Sequence, residues 1–296
     1  MTTTPGDGLL ATSGTPPAAA PAAATAWPGY VKASVAWHLA AGAAAAIAPT
    51  SWPWALGAVA ANHLALTAGG LWPRSRWLGS NWTRLPAEAA ARREIAITID
   101  DGPDPELTPA ILDLLDEHRA RATFFCIAER ARVSPALCRK IVARGHSVEN
   151  HSDRHSHRFS LLGPRAMARE IAAAQASLAD ITGVAPRFFR APAGLRNPFL
   201  APVLQRLDLQ LVSWTRRGFD TVGNDPTPVL ARLLRRLGAG DILLLHDGHG
   251  ARDGAGRALA LAVLPALLER VWAADLSPVT LLAAESGATG SAGTQA

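Results

Sequence analysis

The sequence predicts an α/β protein, a seven-stranded (β/α) barrel preceded by an N-terminal helical hairpin. Three observations lead to this prediction. Seven short β-branched runs follow one another from Ile95 onward. Helix-length segments separate them, which is the pattern of parallel βαβ units. Two apolar runs lie between residues 33 and 71. With 49% hydrophobic residues among 296, the chain can bury a sizeable core.

The first 26 residues are mostly Thr, Pro, Gly and Ala, with almost no bulky apolar side chain. Such a segment cannot bury enough surface to offset the entropy of ordering. We therefore predict a disordered tail over residues 1–26.

The apolar hairpin occupies residues 27–80. Its two runs, Ala33 to Ala48 and Trp54 to Leu71, are near the minimum length of a membrane span and are edged by tryptophans. We expect a transmembrane hairpin that anchors the protein in a membrane, the inner membrane of a bacterium. Basic residues before the first run and after the second place the following domain in the cytoplasm by the positive-inside rule. A soluble or interfacial hairpin docked on the next domain is the alternative, because the runs are alanine-rich and contain polar residues such as Asn62.

The predicted catalytic domain covers residues 94–285, and a second disordered tail covers 286–296. Its strands are predicted at 95–99, 122–127, 146–149, 187–190, 209–213, 241–246 and 277–281. Proline near the start and glycine just after the end mark helices between them, for example the long helix that ends at Gly183. In such a barrel the C-terminal ends of the strands carry the chemistry.

The charge pattern excludes one class of partner. The net charge is +5, but only two of the 29 basic residues are lysines. No basic run is interleaved with aromatic residues, so we expect no nucleic-acid partner.

Two adjacent carboxylates, Asp100 and Asp101, follow the first strand. His151 and His155 follow the third, at a spacing that lets two imidazoles meet at one metal. Two imidazoles and one carboxylate leave open positions on a divalent ion, which is typical of a catalytic site. We expect Asp101, His151 and His155 to be metal ligands and Asp100 to be the base. Zn is the favoured metal, although the same ligands can hold Co, Ni, Mn or Fe.

Two further side chains stand at predicted strand ends. Arg190 ends the fourth strand and is expected beside Asp100, where a guanidinium orients the base and keeps it ionised. His246 ends the buried sixth strand and is expected to protonate the leaving amine. His146, His157 and His249 are interpreted as structural.

Four stretches of the chain are similar to motifs of the polysaccharide deacetylase family, also called carbohydrate esterase family four. They are TIDDGP (98–103), HSDRH (151–155), RAPAG (190–194) and LLH (244–246). The family includes chitin and peptidoglycan deacetylases, and the resemblance covers residues 94–285. It implies a distorted barrel of seven β/α units and the same base, ligands, arginine and acid. It also implies that the backbone amide of Ala193 helps to bind the oxyanion.

The sequence departs from the family pattern at two places. Ala193 stands where the third motif often has an aromatic residue. The fourth motif, usually an Asp followed closely by Trp, is present only as SWTRRGFD (213–220). We expect Trp214 to line the sugar site and Asp220 to tune His246.

The predicted function is metal-dependent hydrolysis of an N-acyl group, above all N-acetyl, from an amino sugar of a polysaccharide or cell-envelope glycan. If the hairpin holds the domain in the cytoplasm, the alternative is a deacetylase or deformylase of a lipid-linked amino sugar at the membrane face. The alternative of another class is a catalytically inactive module that binds glycan or scaffolds a membrane assembly.

Overall fold

The computed structural model describes residues 27–290, which form a helical hairpin followed by a half-barrel of parallel strands surrounded by helices. The strands are β1 (Glu94–Asp100), β2 (Ala122–Cys126), β3 (Ser147–Asn150), β4 (Phe188–Phe189), β5 (Gln210–Leu211), β6 (Arg216–Arg217), β7 (Ile242–His246) and β8 (Ser277–Val279). The helices are α1 (Gly29–Ile47), α2 (Trp52–Leu71), α3 (Ala87–Ala91), α4 (Leu107–Glu117), α5 (Ala128–Val133), α6 (Pro135–Ala143), α7 (Pro164–Thr182), α8 (Leu200–Arg206), α9 (Pro226–Leu234), α10 (Leu259–Ala273) and α11 (Leu281–Gly290).

Each of the seven predicted strands is present, and β6 is an additional one. Seven strands run in the order β5-β4-β3-β2-β1-β7-β6, all pairs parallel, while β8 pairs with the first half of β1. Residues 212–215 connect β5 to β6, which are the two ends of this order. The short connection keeps the two edges within about 18 Å of each other. The sheet therefore curls strongly into a half-barrel, which is consistent with the predicted (β/α) barrel.

The register brings the strand ends of the predicted site to one rim. Asp100, the last residue of β1, is level with His246, the last residue of β7. Asn150 in β3 is level with Phe189 in β4, so the residues that follow these two strands emerge side by side. Parallel strands end at the same edge of a sheet, which is why the site forms there.

The core lies on both faces of the sheet. Ile97 and Ile99 of β1 belong to the larger apolar cluster, which the outer helices cover. A smaller cluster inside the half-barrel includes Phe125 and Leu244. Because successive side chains of a strand point to opposite faces, Asp100 points to the inner face, away from the outer isoleucines.

The hairpin of α1 and α2 confirms the helical part of the N-terminal prediction. Polar contacts join its helices, including Asn62 Nδ2 to Ser34 Oγ at 2.6 Å and His38 Nε2 to His63 Nε2 at 3.1 Å. Of the helices between residues 27 and 290, none is both long and apolar enough to cross a membrane. The predicted transmembrane hairpin is therefore corrected to a helical hairpin, because polar side chains such as these lower its mean hydropathy.

Residues 81–85, which follow the hairpin, lie along the open edge of the half-barrel. Trp82 pairs in parallel with Val212, and Arg84 pairs with Asp241, its guanidinium 2.6 Å from the carboxylate. This segment thus bridges β5 and the start of β7.

The C-terminal prediction needs a correction. Helix α11 extends to Gly290, so residues 286–290 are helical where the sequence predicted a disordered tail. The remaining tail residues, 291–296, and the predicted tail over 1–26 lie outside the described residues.

Candidate active site

Asp100 lies at the bottom of the site in a buried ion pair. Its Oδ1 accepts a 2.6 Å hydrogen bond from Arg190, whose side chain is 1% exposed. The guanidinium also donates to the Thr98 hydroxyl at 2.8 Å and to the Ser213 carbonyl at 2.8 Å, and it stacks on the Phe125 ring at 4.1 Å. Arg190 is therefore held on several sides and in turn fixes the carboxylate of Asp100.

Asp101, His151 and His155 form a group that could hold a metal ion, with ligand atoms within 4.8 Å of one another. Asp101 Oδ1 is 3.3 Å from Nε2 of His151 and 3.3 Å from Nε2 of His155. Ligand atoms about 2.0 Å from a tetrahedral ion stand about 3.3 Å apart, so these distances fit one ion. The Nδ1–H of His151 donates to the Arg190 carbonyl at 2.8 Å, which leaves its Nε2 available as a ligand.

Electrostatics prepare two of the three candidate ligands for a cation; for the third, His151, burial lowers the pKa but Asp100 and Asp101 raise it overall. Burial raises the pKa of Asp101, but the hydrogen bond and charge of His151, with the charges of His246 and His155, lower it well below its usual range. Burial, followed by the charge of His151, lowers the pKa of His155 to about 4. One ligand is thus an anion and another a neutral imidazole at neutral pH, the forms in which they bind metals.

His246 faces the same space from β7 and is oriented by Asp220. The Nδ1–H of His246 donates to Asp220 Oδ1 at 2.9 Å, and its backbone N–H donates to Asp220 Oδ2 at 2.8 Å. Burial lowers the pKa of His246, but Asp220, followed by Asp100 and Asp101, raises it above its ordinary value overall. The ring can therefore carry a proton at Nε2, the nitrogen that faces away from Asp220.

These side chains surround one cavity of about 510 Å³. Asp100, the three candidate ligands and His246 line it, as do Ala193 and Trp214, while Arg190 and Asp220 lie behind the residues that they orient. Ala193 has a left-handed backbone with φ 54° in the tight turn after Arg190. Gly194 has φ 72°, and a Cβ there would lie 2.7 Å from the Trp214 ring. The turn is thus packed directly against the tryptophan.

The structure adds residues that the sequence analysis missed. His249, interpreted as structural, lines the cavity, and its Nδ1–H donates to Asp101 Oδ2 at 3.1 Å. Arg130 donates to the Asp101 carbonyl at 2.7 Å and to His249 Nε2 at 3.1 Å. His157 also lines the cavity, whereas His146 is buried elsewhere and accepts from a backbone N–H. The clustering of His249 with His246 in LLHDGHG was the available signal.

Comparisons with known proteins agree with the geometry. A family model described as polysaccharide deacetylase matches residues 87–212. The chain is 35% identical over 195 residues to a chitooligosaccharide deacetylase of Azorhizobium caulinodans. The aligned region covers 62% of this chain and 92% of the relative. It is 33% identical over 175 residues to a peptidoglycan-N-acetylglucosamine deacetylase of Bacillus cereus, which covers 58% of this chain and 81% of the relative.

Solved structures share the fold. A family 4 carbohydrate esterase from Streptomyces lividans in complex with acetate is 30% identical, with a TM-score of 0.57 over 62% of this chain and 91% of that one. A pseudoenzyme of carbohydrate esterase family 4 from Bacillus anthracis is 20% identical and matches with a TM-score of 0.56 over 64% of this chain and 63% of that one. The solved structures thus support the fold, and the assignment of the family and of the reaction type rests on the sequence relatives. The chain belongs to the polysaccharide deacetylase family and is a hydrolase of carbon–nitrogen bonds other than peptide bonds.

Proposed function

We propose that the protein removes the N-acetyl group from an amino sugar of a polysaccharide or cell-envelope glycan by metal-dependent hydrolysis. The observation that carries the proposal is that a carboxylate suited to accept a proton and an imidazole suited to donate one lie beside one candidate metal site. Asp100, paired with Arg190, and His246, paired with Asp220, end adjacent strands in register. The names of the relatives, deacetylases of chitooligosaccharide and of peptidoglycan N-acetylglucosamine, support the substrate class.

Asp101, His151 and His155 would hold the divalent ion, and we propose Zn because a compact set of two imidazoles and one carboxylate suits it. When bound, such an ion lowers the pKa of water to about 7 and polarises a carbonyl.

The proton transfers are assigned to the two paired groups. Asp100 accepts the proton of the attacking water at Oδ2, because Arg190 already binds Oδ1. His246 gives its Nε2 proton to the departing sugar nitrogen, and Asp220 stabilises the imidazolium through Nδ1. Both groups then exchange protons with solvent in the open cavity.

The backbone N–H of Ala193 donates to the oxyanion of the tetrahedral intermediate. Ala193, which has a left-handed backbone, lines the cavity, and this supports the proposal. Trp214 offers the sugar an apolar face next to the same turn.

The test is acetate release by the full-length protein, loaded with Zn, from chitooligosaccharides, peptidoglycan strands and lipid-linked amino sugars, alongside His246→Ala. Acetate release from one class of substrate by the wild type, but not by His246→Ala, supports the proposal and identifies the substrate class. Release of another acyl group alone would contradict the assignment to N-acetyl. Bound Zn without hydrolysis of any substrate would favour the alternative of a glycan-binding module.

We also propose that the hairpin attaches the protein to the surface of a bacterial membrane. Trp54, Leu39 and Leu64 on its helices are 83%, 70% and 72% exposed, and such side chains bind the interfacial region of a bilayer. Sedimentation of the protein with vesicles of phosphatidylethanolamine and phosphatidylglycerol tests this, with Leu39→Gln/Leu64→Gln as the variant. Equal sedimentation of both proteins would contradict the proposal.

A further inference from the structure

Arg217 faces the catalytic cavity beside the strand that carries His246. It is level with Leu244 in the parallel pairing of β6 with β7, and both residues line the cavity. Side chains at paired positions point to the same face of a sheet, as do residues two apart along a strand. The backbone of Arg217 therefore lies about 7 Å farther down the wall than that of His246.

The contacts of the Arg217 guanidinium are aromatic. It lies 5.6 Å from the centroid of the Trp214 ring and 4.9 Å from that of Phe219. Its Nε is buried without a hydrogen-bond partner, and no ion pair within residues 27–290 includes Arg217. The aromatic rings thus hold in place a positive charge that has no counter-charge among residues 27–290.

The other charged groups of the cavity wall differ from Arg217. Arg130 donates to the Asp101 carbonyl at 2.7 Å, and the side chain of Arg154 is 72% exposed, with Nε 3.6 Å from Asp153. Glu129 is the carboxylate of the lining besides the two site aspartates, and no ion pair in the described part of the chain joins it to Arg217. Among the arginines that line the cavity, Arg217 is therefore the one that aromatic rings hold in place and that has no ion-pair partner within the described residues.

The loop that follows Arg217 carries Asp220, which orients the proposed acid His246. Phe219 has φ 63°, which is unfavourable for a bulky side chain and occurs where the surrounding structure enforces it. The centroid of the Phe219 ring lies 4.9 Å from the guanidinium of Arg217 and 5.7 Å from that of Arg232. Asp220 follows directly and binds His246. Arg217 thus lies in the same short segment as Asp220, the residue that orients the proposed proton donor His246.

We propose that Arg217 binds an oxyanion of the substrate, a carboxylate or a phosphate carried by the deacylated amino sugar or by its neighbour. This rests on the proposed function and narrows its substrate class to acidic amino-sugar glycans. A guanidinium presents several donors to a planar or tetrahedral oxyanion, and a partly buried charge gains most from such a partner. Uncharged chitooligosaccharides would leave the guanidinium unpaired.

The experiment compares deacylation of three substrates by the Zn-loaded, full-length protein. They are uncharged chitotetraose, a tetrasaccharide of alternating N-acetylglucosamine and carboxylate-bearing N-acetylmuramic acid, and N-acetylglucosamine 1-phosphate. We expect kcat/KM to be about 10- to 100-fold higher for at least one acidic substrate than for chitotetraose. The preferred acidic substrate distinguishes a carboxylate from a phosphate.

Arg217→Gln should reduce this preference to about one, and Arg217→Lys should retain part of it. Arg232→Gln is the matched control, because Arg232 contacts the same Phe219 ring but does not line the cavity. It should keep the preference of the wild type. Sodium chloride should weaken the wild-type preference, because it screens a partly exposed charge pair.

The inference would be overturned if Arg217→Gln lowered kcat/KM equally for charged and uncharged substrates, or if the wild type showed no preference for acidic substrates. Isothermal titration of the same two tetrasaccharides into Asp100→Ala and Asp100→Ala/Arg217→Gln gives a readout that does not require turnover. Anion-selective binding that depends on Arg217, without hydrolysis by the wild type, would refute the proposed function and leave this inference standing. Binding without charge selectivity would refute the inference alone.

Discussion

Replacing Asp220 by Asn tests whether His246 acts as a proton donor. The carboxylate is fully buried and accepts hydrogen bonds from both the ring and the backbone N–H of His246, at 2.9 and 2.8 Å. Asn keeps the shape but removes the charge that raises the pKa of His246. A buried hydrogen bond to a charged group contributes about 1.5–3 kcal/mol. If the imidazolium loses that much stabilisation, kcat/KM should fall about 10- to 150-fold near neutral pH.

The assay is the dependence of kcat/KM on pH, measured by acetate release with Zn bound. A raised pKa keeps His246 protonated up to a higher pH, so activity should decline as the pH rises through that pKa. In Asp220→Asn the decline should begin at a lower pH. Asp208→Asn makes the same change in an exposed carboxylate that pairs with Arg187, and it should leave both activity and profile as in the wild type.

One outcome would refute this reasoning. If Asp220→Asn loses activity but keeps the alkaline limb of the wild type, Asp220 does not act through the protonation of His246. Thermal unfolding of the variant separates this result from a general loss of stability, because a destabilised protein would unfold at a lower temperature.

Three other predictions concern the base, the metal site and a buried acid. Asp100→Ala should lower kcat about 10²- to 10⁴-fold while elemental analysis still finds one metal per chain; loss of the metal would argue against separate roles for the two aspartates. His151→Ala should lower the metal content, and chelation of the wild type should abolish acetate release that Zn restores; full activity without metal would contradict the assigned site. Burial raises the pKa of Glu149 from 4.5 to about 8, so stability from this group is present below pH 4.5 and is lost as the pH rises to 8, by up to about 5 kcal/mol. Glu149→Gln should reduce the fall in unfolding temperature between pH 5 and pH 8, and an unchanged fall would show that other groups cause it.

Local patterns predicted much of the fold because its strands are short apolar runs between clear helix signals. The glycine after α7 has φ 74° and ends that helix as predicted. Two-residue β6 escaped prediction, since Arg216 and Arg217 have no apolar pattern and pair only because β7 lies beside them. In the hairpin, by contrast, the sequence predicted a feature that is not found. The length of its two apolar runs suggested a membrane span, but its helices are not apolar enough to cross a membrane.

Local sequence patterns were sufficient to predict the family, the alternation of strands and helices, and the residue types of the site. These depend on neighbouring residues, such as the two adjacent carboxylates at the end of β1 and the HSDRH segment. Three features are visible only in the folded chain: Asp100 is level with His246, His249 contacts Asp101, and Arg217 is unpaired within the described residues. These are relations between side chains far apart in the chain, and they arise from sheet register and from packing between loops. A local sequence pattern contains no information about which partner a distant strand or loop will provide.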